Sequence, residues 1–149
     1  MMMKNAGGRL RNHGYYFYNM REYVKALDYY KRPLEIYNKV SDRIGKIYCY
    51  SRLGRTYEAI GEHEQALNHH CTALGMRKEI GYKAGIAMES YFISFVLFNK
   101  HQEKEAIESF MLAKCIFEES DRQTRYRHKL LREVQERITS LQSMNDRIN

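Results

Sequence analysis

A chain of 149 residues that is 44% hydrophobic and 29% charged carries enough apolar material for one ordinary domain, which excludes a sequence too polar to fold. A single proline leaves no room for a Pro-rich linker, and no apolar run approaches the roughly 20 residues of a membrane helix. The formal charge of +7 admits acidic peptide, nucleic acid or anionic lipid as a partner without choosing among them.

That charge is unevenly spread. Basic residues prevail over Gly7–Lys46 and again over Asp121–Asn149, with an acidic excess over Ala87–Ser120 between them. Cys49, Cys71 and Cys115 are odd in number, far apart and without CxxC spacing, so a reduced, cytoplasmic chain is expected.

Met1 to Gly8 shows no helical period, and Gly7-Gly8 weakens any helix that begins there; a disordered leader over 1–8 is expected. Arg9–Met20 reads as the first helix, with Leu10, Gly14 and Phe17 toward a partner helix. Tyr15, Tyr16, Phe17 and Tyr18 are unusual on a terminal unit. They read either as a surface covered by a neighbour, self-association through this unit included, or as tolerated amphipathic rings. Arg21–Val40 gives a second helix through Tyr23, Ala26, Leu27, Tyr30, Leu34 and Tyr37, with Pro33 expected to bend it. The connections Ser41–Lys46 and Gly81–Ile86 match at Gly45 and Gly85, which reads as glycine where the chain reverses.

Two further helix pairs follow, Ile47–Ile60 with Glu62–Glu79 and Ala87–Asn99 with His101–Glu118. A last helix over about 123–143 carries Leu130, Leu131, Val134, Ile138 and Leu141 along one side, as expected of a cap, with 144–149 expected to fray. One unit therefore recurs at a spacing of 40 residues: Gly14, Gly54 and Ser94; Ala26, Ala66 and Ala106; Pro33, Ala73 and Ala113. Small residues at these places let two antiparallel helices approach to roughly 8–10 Å. Each pair leaves an apolar face uncovered, so units must stack.

The run Leu53-Gly54 with Tyr57 and Ala66, flanked by LEIYNKVSDRIGK and EIGYKAGIA, resembles the tetratricopeptide repeats of the LGN/Pins class over about Leu10–Ser120. The resemblance implies an all-α, right-handed α-solenoid of three helix-turn-helix units, about 9–46, 47–86 and 87–120, with the capping helix completing one domain over 9–143. It also implies a non-catalytic scaffold or adaptor whose concave groove holds a peptide of a protein partner, often acidic. The family's groove positions fall on Arg11, Asn12, Tyr15 and Asn19, then Tyr48, Arg52 and Arg55, then Tyr91, Phe95 and Asn99. Arg52 and Arg55 stand where the class commonly has asparagines.

Three residues apart, Arg52 and Arg55 share a helix face, either as a bidentate pair for carboxylates or as a solvated basic surface. Tyr91 and Phe95 are peptide anchors or core. His69 and His70, about 100° apart on a helix, do not share a metal easily, so no metal is expected, and His70 falls on a packing position. No catalytic constellation or cofactor motif is visible, which points away from an enzyme. A second reading stays open, a nucleic-acid-binding solenoid, from the pI near 9.3 and the basic segment RQTRYRHKLLR. So does a third, a fragment or isoform of a longer array.

Overall fold

The computed structural model describes residues 2–119 and 125–148, and every element among them is a helix. In chain order they are α1 (Met2–Asn19), α2 (Tyr23–Lys39), α3 (Arg43–Ile60), α4 (His63–Ile80), α5 (Lys83–Asn99), α6 (Glu103–Glu119) and α7 (Arg125–Ile148). Backbone contacts divide the chain into two compact units, Met1–Glu79 and Ile80–Asn149.

In the first unit α1 packs on α2, α2 packs on α3, and α1 touches α3. The small residues of the repeat decide these contacts. A Cβ placed on Gly14 would lie 2.7 Å from Cε1 of Tyr30, and one on Gly54 would lie 2.7 Å from Cδ2 of His70. No real side chain tolerates such contacts. Glycine therefore lets an aromatic ring of the second helix lie directly against the backbone of the first. Ala26, Tyr30, Pro33 and Tyr37 form the buried stripe of α2, and Ala66, His70 and Ala73 that of α4. The spacing is that of one face of a helix.

The same places are filled in the second unit, where α5 packs on α6 and α6 on α7. Ala106, Phe110, Ala113 and Phe117 are the buried stripe of α6. Val134, Ile138 and Leu141 of α7 close over Ala106 and Phe110, as the apolar side of the last helix leads one to expect. Ser94, which replaces the glycine, is fully buried, and its hydroxyl donates to the Tyr91 carbonyl at 2.6 Å.

The turns repeat as closely as the helices do. Within the pairs, Arg21, Gly61 and His101 occupy the left-handed region, and between pairs Ser41 and Gly81 do so. After the left-handed residue, Glu22 N donates to Phe17 O, Asp42 N to Tyr37 O, Glu62 N to Tyr57 O and Gln102 N to Leu97 O, each at 2.9 Å. This six-to-one bond closes a helix end in the Schellman manner and satisfies a carbonyl that the helix leaves open. Asp42 then caps α3, its Oδ1 accepting from Gly45 N at 3.0 Å.

Three expectations are revised. Residues 2–8 are not a leader without structure but the first turns of α1, held there because Gly7 lies against the Tyr37 ring, 2.8 Å from where its Cβ would stand. Gly45 does not reverse the chain. It sits in the first turn of α3 with its missing Cβ 2.6 Å from Tyr37, so glycines on α1 and α3 make room for one tyrosine of α2. Pro33 lies inside α2, which runs on through it to Lys39, and is buried in its stripe. Past 143 the chain does not fray at once, because α7 continues to Ile148.

Gly54→Val should lower stability by about 2 kcal/mol through overpacking against His70. Gly75→Ala, on a helical position where an added Cβ meets nothing, should raise it by about 0.5–1 kcal/mol. Urea unfolding of both variants beside the parent checks the pair, and equal responses would show that the ring contact does not limit the helix approach. At the turn of the second unit, His101→Gly should stabilise by about 1 kcal/mol, because a left-handed residue other than glycine is strained. Its melting temperature against the parent's is the measurement.

Candidate functional site

Two stripes face one another where α1 meets α3. Arg11, Tyr15 and Tyr18 recur at i, i+4 and i+7 on α1, and Tyr48, Arg52 and Arg55 recur at the same steps on α3. Cations and rings alternate along the seam, most of them across it and one pair within α3. The Arg11 guanidinium lies 4.4 Å from the centre of the Tyr48 ring, Arg52 lies 5.1 Å from Tyr48 and 5.2 Å from Tyr15, and Arg55 lies 5.8 Å from Tyr18. Each contact is a cation–π pair worth about 0.5–1 kcal/mol at an exposed site and more when desolvated. Asn12 and Asn19 stand exposed on α1, and Tyr15 is 48% exposed.

Below this seam ends the side chain of Tyr30. Its ring passes under Gly14, is fully buried, and carries a hydroxyl with no hydrogen-bond partner among the described residues. Burial pushes that hydroxyl far above the ordinary tyrosine range; Arg52 and Arg55 pull it back, whereas Tyr48 and Tyr18 push it further. None of the four is hydrogen-bonded to it. Nε of Arg11 is likewise buried without a hydrogen-bond partner. The Cys49 thiol beside them is pushed up to about 12 by burial, against the opposing pull of Arg11, and stays protonated at neutral pH. The floor of the seam holds donors and cations.

In the second unit the expected site residues meet α7. The Tyr91 hydroxyl donates to Glu133 Oε2 at 3.1 Å, and the Arg137 guanidinium lies 4.5 Å from the Phe95 ring and 5.6 Å from Phe98. Asn99 is exposed at the end of α5. Phe95 and Phe98 occupy the repeat places of Tyr15 and Tyr18, so in both units an aromatic pair receives its guanidinium from another helix. Sequence reasoning named the rings but missed Arg137 and Glu133. The sign available was the apolar stripe of α7, which fixes the side of that helix facing α6. Tyr30 was likewise read only as packing.

Among the described residues no group of three or more His, Cys, Asp or Glu could hold a metal ion, and no helix is long and apolar enough to cross a membrane. His69 spends its ring on stacking, 5.3 Å from Tyr57 with the planes 7° apart and 5.9 Å from Tyr50.

The paired helices, their small-residue crossings and their turns agree with the family that matches the sequence over residues 9–79. Those residues are tetratricopeptide repeat. Solved structures extend the likeness in fold beyond that segment. The apo form of RapI superposes with a TM-score of 0.84 at 20% identity, covering 95% of this chain and 50% of RapI. Aspartyl phosphate phosphatase F from Bacillus subtilis gives 0.75 at 22% identity, covering 78% of this chain and 31% of its own. The type III secretion chaperone SycD of Yersinia enterocolitica, solved with a peptide of the translocator YopD, gives 0.76 at 13% identity, with 95% of each chain covered. The chain thus spans about half of RapI and about a third of the phosphatase. No curated protein sequence matches it significantly.

Within these tetratricopeptide repeats His69 supplies a pH dependence. Burial lowers its pKa below the ordinary 6.5, and Lys31 and His70 lower it further. The unfolded chain then binds the proton more readily than the folded one. Stability is fully present above pH 6.5 and is lost as pH falls from there toward the folded pKa. Thermal unfolding at about pH 7.5 and about pH 5.5 should show a drop in melting temperature on acidification, smaller in His69→Gln. An equal drop in both proteins would assign the acid sensitivity elsewhere.

Proposed function

We propose that the chain is a non-catalytic protein-interaction scaffold that binds an acidic segment of a protein partner along its repeat helices. The observation that carries this reading is the α1–α3 seam, where Arg11, Arg52 and Arg55 are held on tyrosine faces over a floor of unpartnered donors. Pre-stacked guanidinium groups lose less freedom on binding a carboxylate than free side chains do. Tyr15 and Tyr48 flank the cations and supply apolar contact for the partner's side chains, and Asn12 and Asn19 supply main-chain hydrogen bonds. On α5 of the second unit, Tyr91, Phe95 and Asn99 hold the corresponding repeat places. SycD, of the same fold, was solved with a peptide bound, which supports peptide recognition as the use of these helices here. The absence of a membrane-spanning helix among the described residues agrees with work in the cytoplasm.

Fluorescence anisotropy with labelled acidic, neutral and basic peptide pools, and with single-stranded RNA at two salt concentrations, tests this. Saturable binding should favour the acidic pool, and Arg52→Glu with Arg55→Glu should weaken it at least about a hundredfold, since two charge-assisted contacts become repulsive. Tight RNA binding with steep salt dependence, indifferent to the double substitution, would instead make the basic surface a nucleic-acid site.

A further inference from the structure

Gly8 is a glycine that the fold does not need. The absent Cβ of Gly7 makes room for Tyr37 and that of Gly14 for Tyr30, but one added to Gly8 meets nothing within 4 Å. A glycine inside a helix lowers its stability, so α1 is weakened here with no gain in packing. Gly75 shares that freedom. Gly8 differs in lining an open cavity of about 630 Å³, together with Asn5, Arg9, Arg11 and Asn12.

At about 100° per residue, Gly8 lies between Arg11 on one side of α1 and Asn12, Asn5 and Arg9 on the other. No acidic side chain lines the cavity, and α1 contains none. Among the described residues neither Arg9 nor Arg11 has an ion-pair partner. Arg9 is exposed. Arg11 is held in place: its guanidinium lies 4.4 Å from the centre of the Tyr48 ring and 5.9 Å from that of Tyr37, and its Nε is buried without a hydrogen-bond partner. A positioned cation and an unpaired one therefore border a gap that one missing side chain keeps open.

We infer that this cavity binds the phosphate group of a phosphorylated serine or threonine in the partner's segment. The inference rests on the peptide-binding reading above and extends it from Arg11, which belongs to the seam, toward the start of α1. Charge selects phosphate over carboxylate. A phosphate monoester carries about −1.5 to −2 charges near pH 7 and three terminal acceptor oxygens, which two guanidinium groups and the Asn5 amide match. A carboxylate, with a single charge, leaves one cation uncompensated. Gly8 lets the group approach the helix between the two arginines, where any side chain would stand.

The test uses the full chain and three fluorescein-labelled peptide pools of matched length that carry fixed phosphoserine, glutamate or serine, titrated by fluorescence anisotropy. Two variants alter the cavity and spare the packing: Gly8→Leu fills it, and Arg9→Gln removes its exposed cation. Circular dichroism melting should find Gly8→Leu at least as stable as the parent. The parent should bind the phosphoserine pool at least about tenfold more tightly than the glutamate pool, and each variant should remove most of that preference while changing glutamate binding less than about twofold. A parent that binds phosphoserine and glutamate alike, or variants that keep its preference, would overturn the inference and leave acidic-segment binding standing. A parent that binds none of the pools, or all three equally, overturns both.

A second readout needs no peptide. Inorganic phosphate should move the side-chain NMR signals of Asn5 and Arg9 at lower concentration than acetate does, and Gly8→Leu should abolish the difference. Acetate acting as strongly as phosphate, or a phosphate response that survives in Gly8→Leu, overturns the assignment. Single-stranded RNA that displaces the phosphoserine pool from the parent would assign the cavity to nucleic-acid phosphates and overturn the peptide source.

Discussion

The structure depends on a ring lying against a backbone. At each fully described crossing in the first unit, the absence of a side chain at Gly14 or Gly54 sets how near two antiparallel helices come, and the ring of Tyr30 or His70 fills what the glycine leaves. The slot also decides what reaches the far side. A ring that ends in carbon, as Phe110 does, is complete inside the core. One that ends in a hydroxyl carries a polar atom through the helix pair to the seam behind it, at a desolvation cost that the fold alone does not return.

Tyr37 shows the same constraint operating twice on one side chain. It fills space between Gly7 on α1 and Gly45 on α3, so the two helices are fixed to α2 at one point as well as to each other. This gives the α1–α3 seam a defined width. Cation–π pairs then form at 4.4 to 5.8 Å with no need for loops or long-range closure. Arginine suits these places. A planar guanidinium lies flat on a tyrosine and sheds its weakly held hydration, whereas an ammonium prefers to stay in water.

Much of this was legible in the sequence because it is periodic. Gly14, Gly54 and Ser94, with the alanines behind them, announced the helix pairs, and the buried stripes of α2, α4 and α6 fall where a 40-residue spacing puts them. What was not legible is what departs from local propensity. Gly7 weakens a helix in isolation, yet tertiary contact with Tyr37 makes it the residue that belongs there. Gly45 carries a turn signal but serves packing, and the left-handed conformation falls instead on Ser41, whose side chain gives no such warning. The site was half visible. Helical spacing aligned Arg52 with Arg55, but no one-dimensional pattern reports which ring from another helix each guanidinium meets, nor that a core tyrosine ends beneath them.

A guanidinium engaged by an aromatic face is not thereby spent. The ring takes up the flat of the group, and its N–H bonds point outward in the plane, toward whatever stands at its edge. Arg52 lies over Tyr15 and Tyr48, and Arg55 over Tyr18, in this way. The second unit contains an internal example of the chemistry such an arrangement selects. There a carboxylate of α7, Glu133, accepts from the Tyr91 hydroxyl beside an arginine stacked on Phe95. One helix thus serves twice: α7 closes the apolar stripe of α6 and, through Glu133 and Arg137, supplies the polar partners of Tyr91 and Phe95 on α5.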